Sequence, residues 1–512
     1  MPSTHQSPAE THAILVTALT HHQNGRLEEA EKLYRTVLEK IPTHPDALNL
    51  LGVIETGKKN FDEAIHLIRQ AIFVDDKNAL FHNNLGLALK EQGNNEEAIE
   101  HFSRAIKLKP DLPEAHYNLG IIFERNNDND EAISHYKMAV AHRPNFSEAC
   151  CNLAGIFVKQ GRINDAKKYY ERSLASNEDS ATTHNNLGIL LAAEEKFDDA
   201  VAHYLRAIAI NPHMVEAYNN LGLLFMRIGR SEDALNCYER AIEINPYYKE
   251  AENGLQGALY QYSIDGKKAE AIIRAEKWVA LNPDSQTAKH ILSALNANDD
   301  TMPYRAADDY VTTVFDNFAE DFDSVLSKLE YRAPELVANA LKGKLNPKSL
   351  DIIDIGCGTG WSGVYLEPYA NTLVGVDLSG KMLAKAKKRN IYNELHKTEI
   401  TEFLQNHKNT YDLIAAADVL NYFGDLNDVF AASFLALRPY GHIVFTVEQL
   451  LDEETSKGRK LQSSGRYAHN EKYIRERLAF FSFEILEINQ ENLRVENGRN
   501  VPGLIVLAKK SK

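Results

Sequence analysis

Small residues stand at Ala18, Gly52, Gly86, Gly120, Ala154, Gly188 and Gly222, each 34 positions after the one before. Twelve residues on from each stands an alanine: Ala30, Ala64, Ala98, Ala132, Ala166, Ala200 and Ala234. Prolines close many of the same intervals, at Pro42, Pro110, Pro144, Pro212, Pro246 and Pro283. Nothing else in the chain constrains its fold so tightly. Small residues let two helices cross closely, and proline stops the second helix before the next begins. One such unit cannot bury its apolar face alone, so the units must stack into a solenoid. Eight units are expected. The eighth, about 249–283, departs, with Gln256 at the small position and three extra residues that move the alanine to Ala271. Departure at the end of an array is expected of a capping unit.

This pattern is identified as the tetratricopeptide repeat, which implies an α-solenoid over residues 9–290. One column in it is not required by folding. Asn84, Asn118, Asn152, Asn186 and Asn220 recur two residues before the small position in five consecutive units. Stacking turns the column into a ladder along the concave surface. Amides donate and accept together, so such a ladder suits the main chain of an extended peptide. The arrays of O-linked N-acetylglucosamine transferases, which this column resembles, carry such a ladder, and a protein or peptide partner is the expectation. The alternative is a tolerated asparagine copied by duplication.

The second half reads differently. Leu350, Ile352, Ile353 and Ile355 make a short β-branched run of the kind that forms a buried parallel strand. Asp354-Ile-Gly-Cys-Gly-Thr-Gly360 follows, with glycines at 356, 358 and 360 that permit a sharp turn into a helix and close approach of a ligand. A second apolar run, Thr372–Val376, ends at Asp377, where a carboxylate can accept hydrogen bonds from both hydroxyls of a ribose. The residues themselves point to a nucleoside cofactor. A nicotinamide fingerprint is spaced G-x-G-x-x-G and faces a pyrophosphate. Here the spacing is G-x-G-x-G behind an acid, which suits a ligand with an ammonium group.

The stretch from Asp354 to Gly360, continued by Val376-Asp-Leu-Ser-Gly-Lys-Met382, resembles the first two motifs of class I S-adenosylmethionine-dependent methyltransferases. The resemblance implies S-adenosyl-L-methionine as cofactor and a Rossmann-like, seven-stranded, mostly parallel sheet over 304–512. It also implies that Leu378 and Met382 pack beside the adenine, that Glu399 receives its amino group and that Ile400 lies against the ring. For Glu399 the other reading is a helix N-cap. Asp418, in Tyr411-Asp-Leu-Ile-Ala-Ala-Ala-Asp418, resembles the family's fourth motif and is expected at the methionine end.

The aromatic segment containing Tyr310, Phe315, Phe318, Phe322 and Tyr331 resembles the N-terminal helices that cap the cofactor in related enzymes (304–342). An aromatic stripe is equally the mark of a core. With Ser464-Gly-Arg-Tyr-Ala-His469 and Val501-Pro-Gly-Leu-Ile-Val506, it is similar to bacterial methyltransferases fused to tetratricopeptide repeats.

Direct methyl displacement needs alignment more than acid–base chemistry. Tyr422, Glu448 and His469 are the candidates for residues facing the methyl group, His469 as a proton acceptor. The fourth strand ends in Asp-Val-Leu-Asn, not Asn/Asp-Pro-Pro-Tyr, which counts against planar amides and adenine amino groups as acceptors.

A net charge of −15 without a long basic run argues against nucleic acid as a partner. No stretch reaches membrane-spanning length, and Met1–Glu10 lacks the order of a signal peptide. Cys150, Cys151, Cys237 and Cys357 have neither metal nor disulfide spacing, and the nineteen histidines show no ligand geometry. The expectation is a reduced, cytoplasmic protein without a metal, hinged at Asn296–Pro303. Three functions fit: a methyltransferase whose array recruits a protein, one acting on a small molecule with the array used for assembly, and a non-catalytic scaffold.

Overall fold

The computed structural model describes residues 8–296, 302–451, 457–496 and 498–511, so the middle of the expected hinge and most of the N-terminal decapeptide lie outside it. The chain divides into two compact units, Met1–Ala217 and Tyr218–Lys512.

The first unit is built of helix pairs, from Pro8–Gln23 with Leu27–Lys40 to Ala181–Ala193 with Phe197–Ile210. Gly52, Gly86, Gly120 and Gly188 each receive a bulky side chain from the second helix of the pair. A Cβ on Gly120 would lie 2.5 Å from Tyr136 Cε1, and one on Gly86 would lie 2.8 Å from Phe102 Cε1. The alanine column is wholly buried, as at Ala64, Ala98 and Ala132. Histidines form a second column, buried at His82, His116 and His184. His82, His116 and His184 pair through Nδ1 with Nδ1 of His101, His135 and His203, at 3.0, 3.1 and 2.8 Å.

In the second unit, helices Ser231–Ile244, Lys249–Tyr262, Lys268–Leu281 and Gln286–Asn296 precede the sheet. The three extra residues of the eighth repeat appear as a kink, Ser263–Lys267, turned by Gly266 at φ +88°.

Among the described residues nine strands follow: β1 (Leu350–Ile355), β2 (Ala370–Asp377), β3 (Glu394–Lys397), β4 (Tyr411–Ala416), β5 (Leu437–Gln449), β6 (Arg459–Leu461), β7 (Tyr467–His469), β8 (Phe483–Glu496) and β9 (Arg499–Lys510). Their order is β3-β2-β1-β4-β5, with β9 antiparallel to β5 and β8 antiparallel to β9. These are the seven expected strands. The β6–β7 hairpin is additional, joined by β7 to the last residues of β5.

Strand direction, not length, was legible. β8 and β9 run to 14 and 12 residues. Arg438–Gly441 is part of β5, with Tyr440 at φ +67°. Residues from β1, β4, β5 and β9 alternate between two apolar layers, one on each face of the sheet. Among the described residues no helix is long and apolar enough to cross a membrane.

Candidate active site

The carboxyl ends of β1, β2 and β4 meet at the glycine loop. Gly356 N and Cys357 N both donate to Val376 O, at 2.8 and 3.0 Å, tying the loop to the end of β2. Gly356 stands at φ +68°, and a Cβ there would overlap Val419. Only glycine lets the β1 and β4 loops approach so closely. Gly358 N donates to Asp377 Oδ2 (2.9 Å) and Ser379 N to Asp377 Oδ1 (2.8 Å). Burial raises the Asp377 pKa, against the pull of those two backbone donors.

Asp354, Gly360 and Met382 stand beneath this loop. Asp354 is fully buried, and its Oδ2 accepts from Ser362 Oγ (2.6 Å) and Tyr392 Oη (2.7 Å). Its Oδ1 has no partner, and burial pushes the carboxyl up to about 6. Met382 is fully buried on the helix that Ser379 caps.

Above the loop is a cavity of about 360 Å³, lined by Gly356, Gly358, Asp377, Leu378, Glu399, Ile400, Asp418 and Tyr422. Helices Asp308–Phe318 and Phe322–Lys328 cover it with Phe315, Phe318 and Phe322. Two acids latch these helices down. Asp316 accepts from Ser379 Oγ, and Asp323 accepts from Thr359 Oγ1 and Arg389, both at 2.5 Å. Glu399 caps helix Ile400–Asn406 by accepting from Glu402 N (2.8 Å), and its other oxygen accepts from Arg305 (3.2 Å).

The far end of the cavity is charged. Asp418, at φ +60°, accepts from Arg494 Nη1 with both oxygens at 2.9 Å. Arg494 also pairs with Glu448 and, at 2.6 Å, with Glu496. Arg466 joins the same two glutamates, each at 2.6 Å. Three carboxylates against two guanidiniums leave one negative charge in surplus.

Residues 353–445 match the family described as Methyltransferase domain. Residues 86–127 match the TPR repeat family, and 21–85, 113–146, 147–212 and 179–246 match Tetratricopeptide repeat families. The chain is a tetratricopeptide-repeat protein with a methyltransferase domain. That domain is 33% identical over 111 residues to human Methyltransferase-like protein 27, covering 21% of this chain and 45% of that protein. It is 28% identical over 132 residues to the Ubiquinone biosynthesis O-methyltransferase of Pasteurella multocida, covering 23% of this chain and 51% of that protein. The chain thus spans only about half the length of these curated relatives, and 24% of the Biotin biosynthesis bifunctional protein BioHC of Saccharophagus degradans. Among solved structures, the APC/C hetero-tetramer Cut9–Hcn1 aligns at a TM-score of 0.40 and 17% identity, over 57% of each chain.

The three catalytic candidates of the methyltransferase domain part company. Tyr422 lines the cavity, and its ring lies edge-on to Phe315 with centroids 5.5 Å apart. Burial moves its phenol pKa upward. Glu448 lies beyond the cavity and is engaged by both arginines. Burial alone would raise its pKa, but Arg466 and Arg494 hold it below the ordinary value. His469 is fully buried, hydrogen-bonded through Nε2 to Gly424 O (3.1 Å), and does not reach the cavity. Burial lowers its pKa to about 4.

Arg494, Glu496, Asp316 and Asp323 went unnoticed in the sequence. Nothing marks a single arginine in a polar strand, because Asp418 and Glu448, two of its three partners, stand 76 and 46 residues away.

In the first unit the asparagine column is half-buried at Asn84, Asn152 and Asn186 and buried at Asn118. Asn84 Nδ2 donates to Asn49 Oδ1 (3.0 Å) and Asn152 Nδ2 to Tyr136 Oη (3.2 Å), both in the preceding repeat. Lys90 Nζ donates to Asn118 Oδ1 (3.0 Å), and Asn186 Nδ2 contacts Cys151 Sγ (3.9 Å). The column therefore also stitches repeats together. Asn220 belongs to the second unit.

Proposed function

We propose that the protein is an S-adenosylmethionine-dependent methyltransferase (304–512, with cap helices at 304–342) whose repeat array (9–290) recruits a protein or peptide. The observation that carries the reading is the convergence of the glycine loop, Asp377, Leu378, Ile400 and Asp418 on one cavity. Asp377 would hold the ribose hydroxyls, because each carboxylate oxygen retains a lone pair beyond its backbone donor. Leu378 and Ile400 would flank the adenine, with Glu399 at its edge. Asp354, Gly360 and Met382 act from below, shaping the loop and its helix. The surplus negative charge around Asp418 suits a ligand whose net charge is positive.

When bound, the cofactor supplies a methyl group already activated on a sulfonium. The chain's own residues then align the acceptor and exclude water. Phe315, Phe322 and Tyr422 make the site apolar where transfer would occur. With His469 buried elsewhere and Glu448 held charged between arginines, the domain offers no separate general base among the three candidates, and Tyr422 lines the acceptor space. Relatives named as O-methyltransferases support a hydroxyl acceptor.

The asparagine column remains the best docking surface on the array, with the main chain of an extended peptide as its ligand. The four cysteines are free and buried, which fits a reduced cytoplasmic setting.

Calorimetric titration of the full chain with S-adenosylmethionine and S-adenosylhomocysteine tests the enzyme reading. Micromolar binding of both is expected, and absence of binding to folded protein would leave a repeat scaffold. Changing Asn118, Asn152 and Asn186 together to Ala should preserve that binding and abolish partner capture. Partners unaffected by the triple change would refute the docking assignment.

A further inference from the structure

At Gly52, Gly86, Gly120, Gly188 and Gly222 the small position faces the second helix of its own pair. In the eighth repeat it holds Gln256, and that side chain lines the cavity of the methyltransferase domain together with Tyr422, Ser464 and Arg466. Its Nε2 lies 3.4 Å from the hydroxyl of Tyr310. Tyr310 is buried and stacks on His290 with ring centroids 4.0 Å apart. His290 Nε2 in turn bonds Gly465 O at 2.8 Å. Gly465 stands at φ +83°, and a Cβ there would lie 2.8 Å from the Tyr310 hydroxyl, so this turn fits only as glycine. Helices Lys249–Tyr262 and Gln286–Asn296 are thereby fixed to the loop that carries Ser464 and Arg466.

We propose that the eighth repeat serves as a wall of the acceptor site and that Gln256 on it selects an uncharged, hydroxyl-bearing acceptor. This rests on the methyltransferase reading above and deepens it. The wall offers an amide and hydroxyls, all neutral groups that both donate and accept. Among the described residues, the charges at the cavity's far end are those of the arginine–carboxylate cluster, with its single surplus negative charge. S-adenosylmethionine carries a sulfonium, an ammonium and a carboxylate, hence one net positive charge. In the loaded site the two balance, and a charged acceptor would be desolvated without a counter-charge. A neutral hydroxyl on an apolar or aromatic frame meets Gln256 at one end and Phe315 and Tyr422 along its length. The departure of the eighth repeat from the array's pattern then has a chemical reason.

The test uses the full chain saturated with sinefungin, an unreactive analogue whose amine carries the positive charge of the sulfonium, and titrated by ligand-observed NMR with 4-methylphenol, benzoate and benzylamine at pH 7.5. The phenol should bind more tightly than either charged analogue. Gln256→Leu should weaken phenol binding at least tenfold while sinefungin affinity stays within twofold. Gln256→Glu, close in shape, should move the preference toward benzylamine. The proposal is overturned by phenol binding indifferent to both substitutions, by preference for a charged probe, or by a loaded chain that binds none of the three. Loss of sinefungin binding in the unsubstituted chain is a separate result and removes the methyltransferase reading beneath it.

Discussion

Asp377 and Asp354 stand at the ends of adjacent parallel strands and do opposite things. Asp377 opens on the cavity, so Asp377→Ala should weaken S-adenosylmethionine binding by about 1–3 kcal/mol, measured calorimetrically. Asp354 faces inward, and its folded pKa of about 6 exceeds the ordinary 3.8. Its contribution to stability is complete below 3.8 and is lost as pH rises through about 6. Asp354→Asn, which cannot ionise, should therefore gain stability relative to the parent by about 1–3 kcal/mol between pH 5 and pH 7.5. Thermal melts at the two pH values check it, and a pH-independent difference would contradict the buried-acid account. The sequence placed both residues at strand ends but did not tell them apart. Which acid reaches ligand depends on Ser362 and Tyr392, one a turn away and the other just before β3, and spacing does not reveal such partners.

Elements show the same division. The repeat period is a local, repeated pattern, and it locates every helix pair of the first unit. The buried histidine pairs escaped because each joins residues 19 apart on different helices. Burial lowers the pKa of His101, His116, His135 and His203 below the ordinary 6.5. Each is thus more basic in the unfolded chain, and its neutral form contributes stability above about pH 6.5 that is lost as pH falls below it. The melting temperature of the array should drop on going from pH 7.5 to pH 5, and His101→Gln with His135→Gln should reduce the drop. On the sheet side, the β6–β7 hairpin had no legible signal, since three-residue strands carry too little periodicity.

For the whole molecule, the sequence suggests a joint near residue 300, whereas the second compact unit begins at Tyr218. Met302 and Pro303 already belong to the sheet side: Leu461 N contacts Met302 Sδ (3.1 Å), and Tyr467 donates to Pro303 O (3.0 Å). A fragment of residues 213–512 should therefore melt like the corresponding unit of the full chain. One starting at 304 should melt several degrees lower, having lost His290 against Tyr310 and the Met302–Pro303 contacts. Equal melting temperatures for the two fragments would show those contacts to be inconsequential.

The stacking of His290 on Tyr310 has an implication for descent. Genes for such chains can be recombined wherever the reading frame allows, and the polar stretch near residue 300 is the obvious place to exchange one array for another. A crossover there would separate Gln256 and His290 from the loop they hold, so the incoming array would bring a different wall. Swaps that leave the chemistry intact should instead fall before residue 218, and shuffled relatives would then inherit the last repeats together with the sheet.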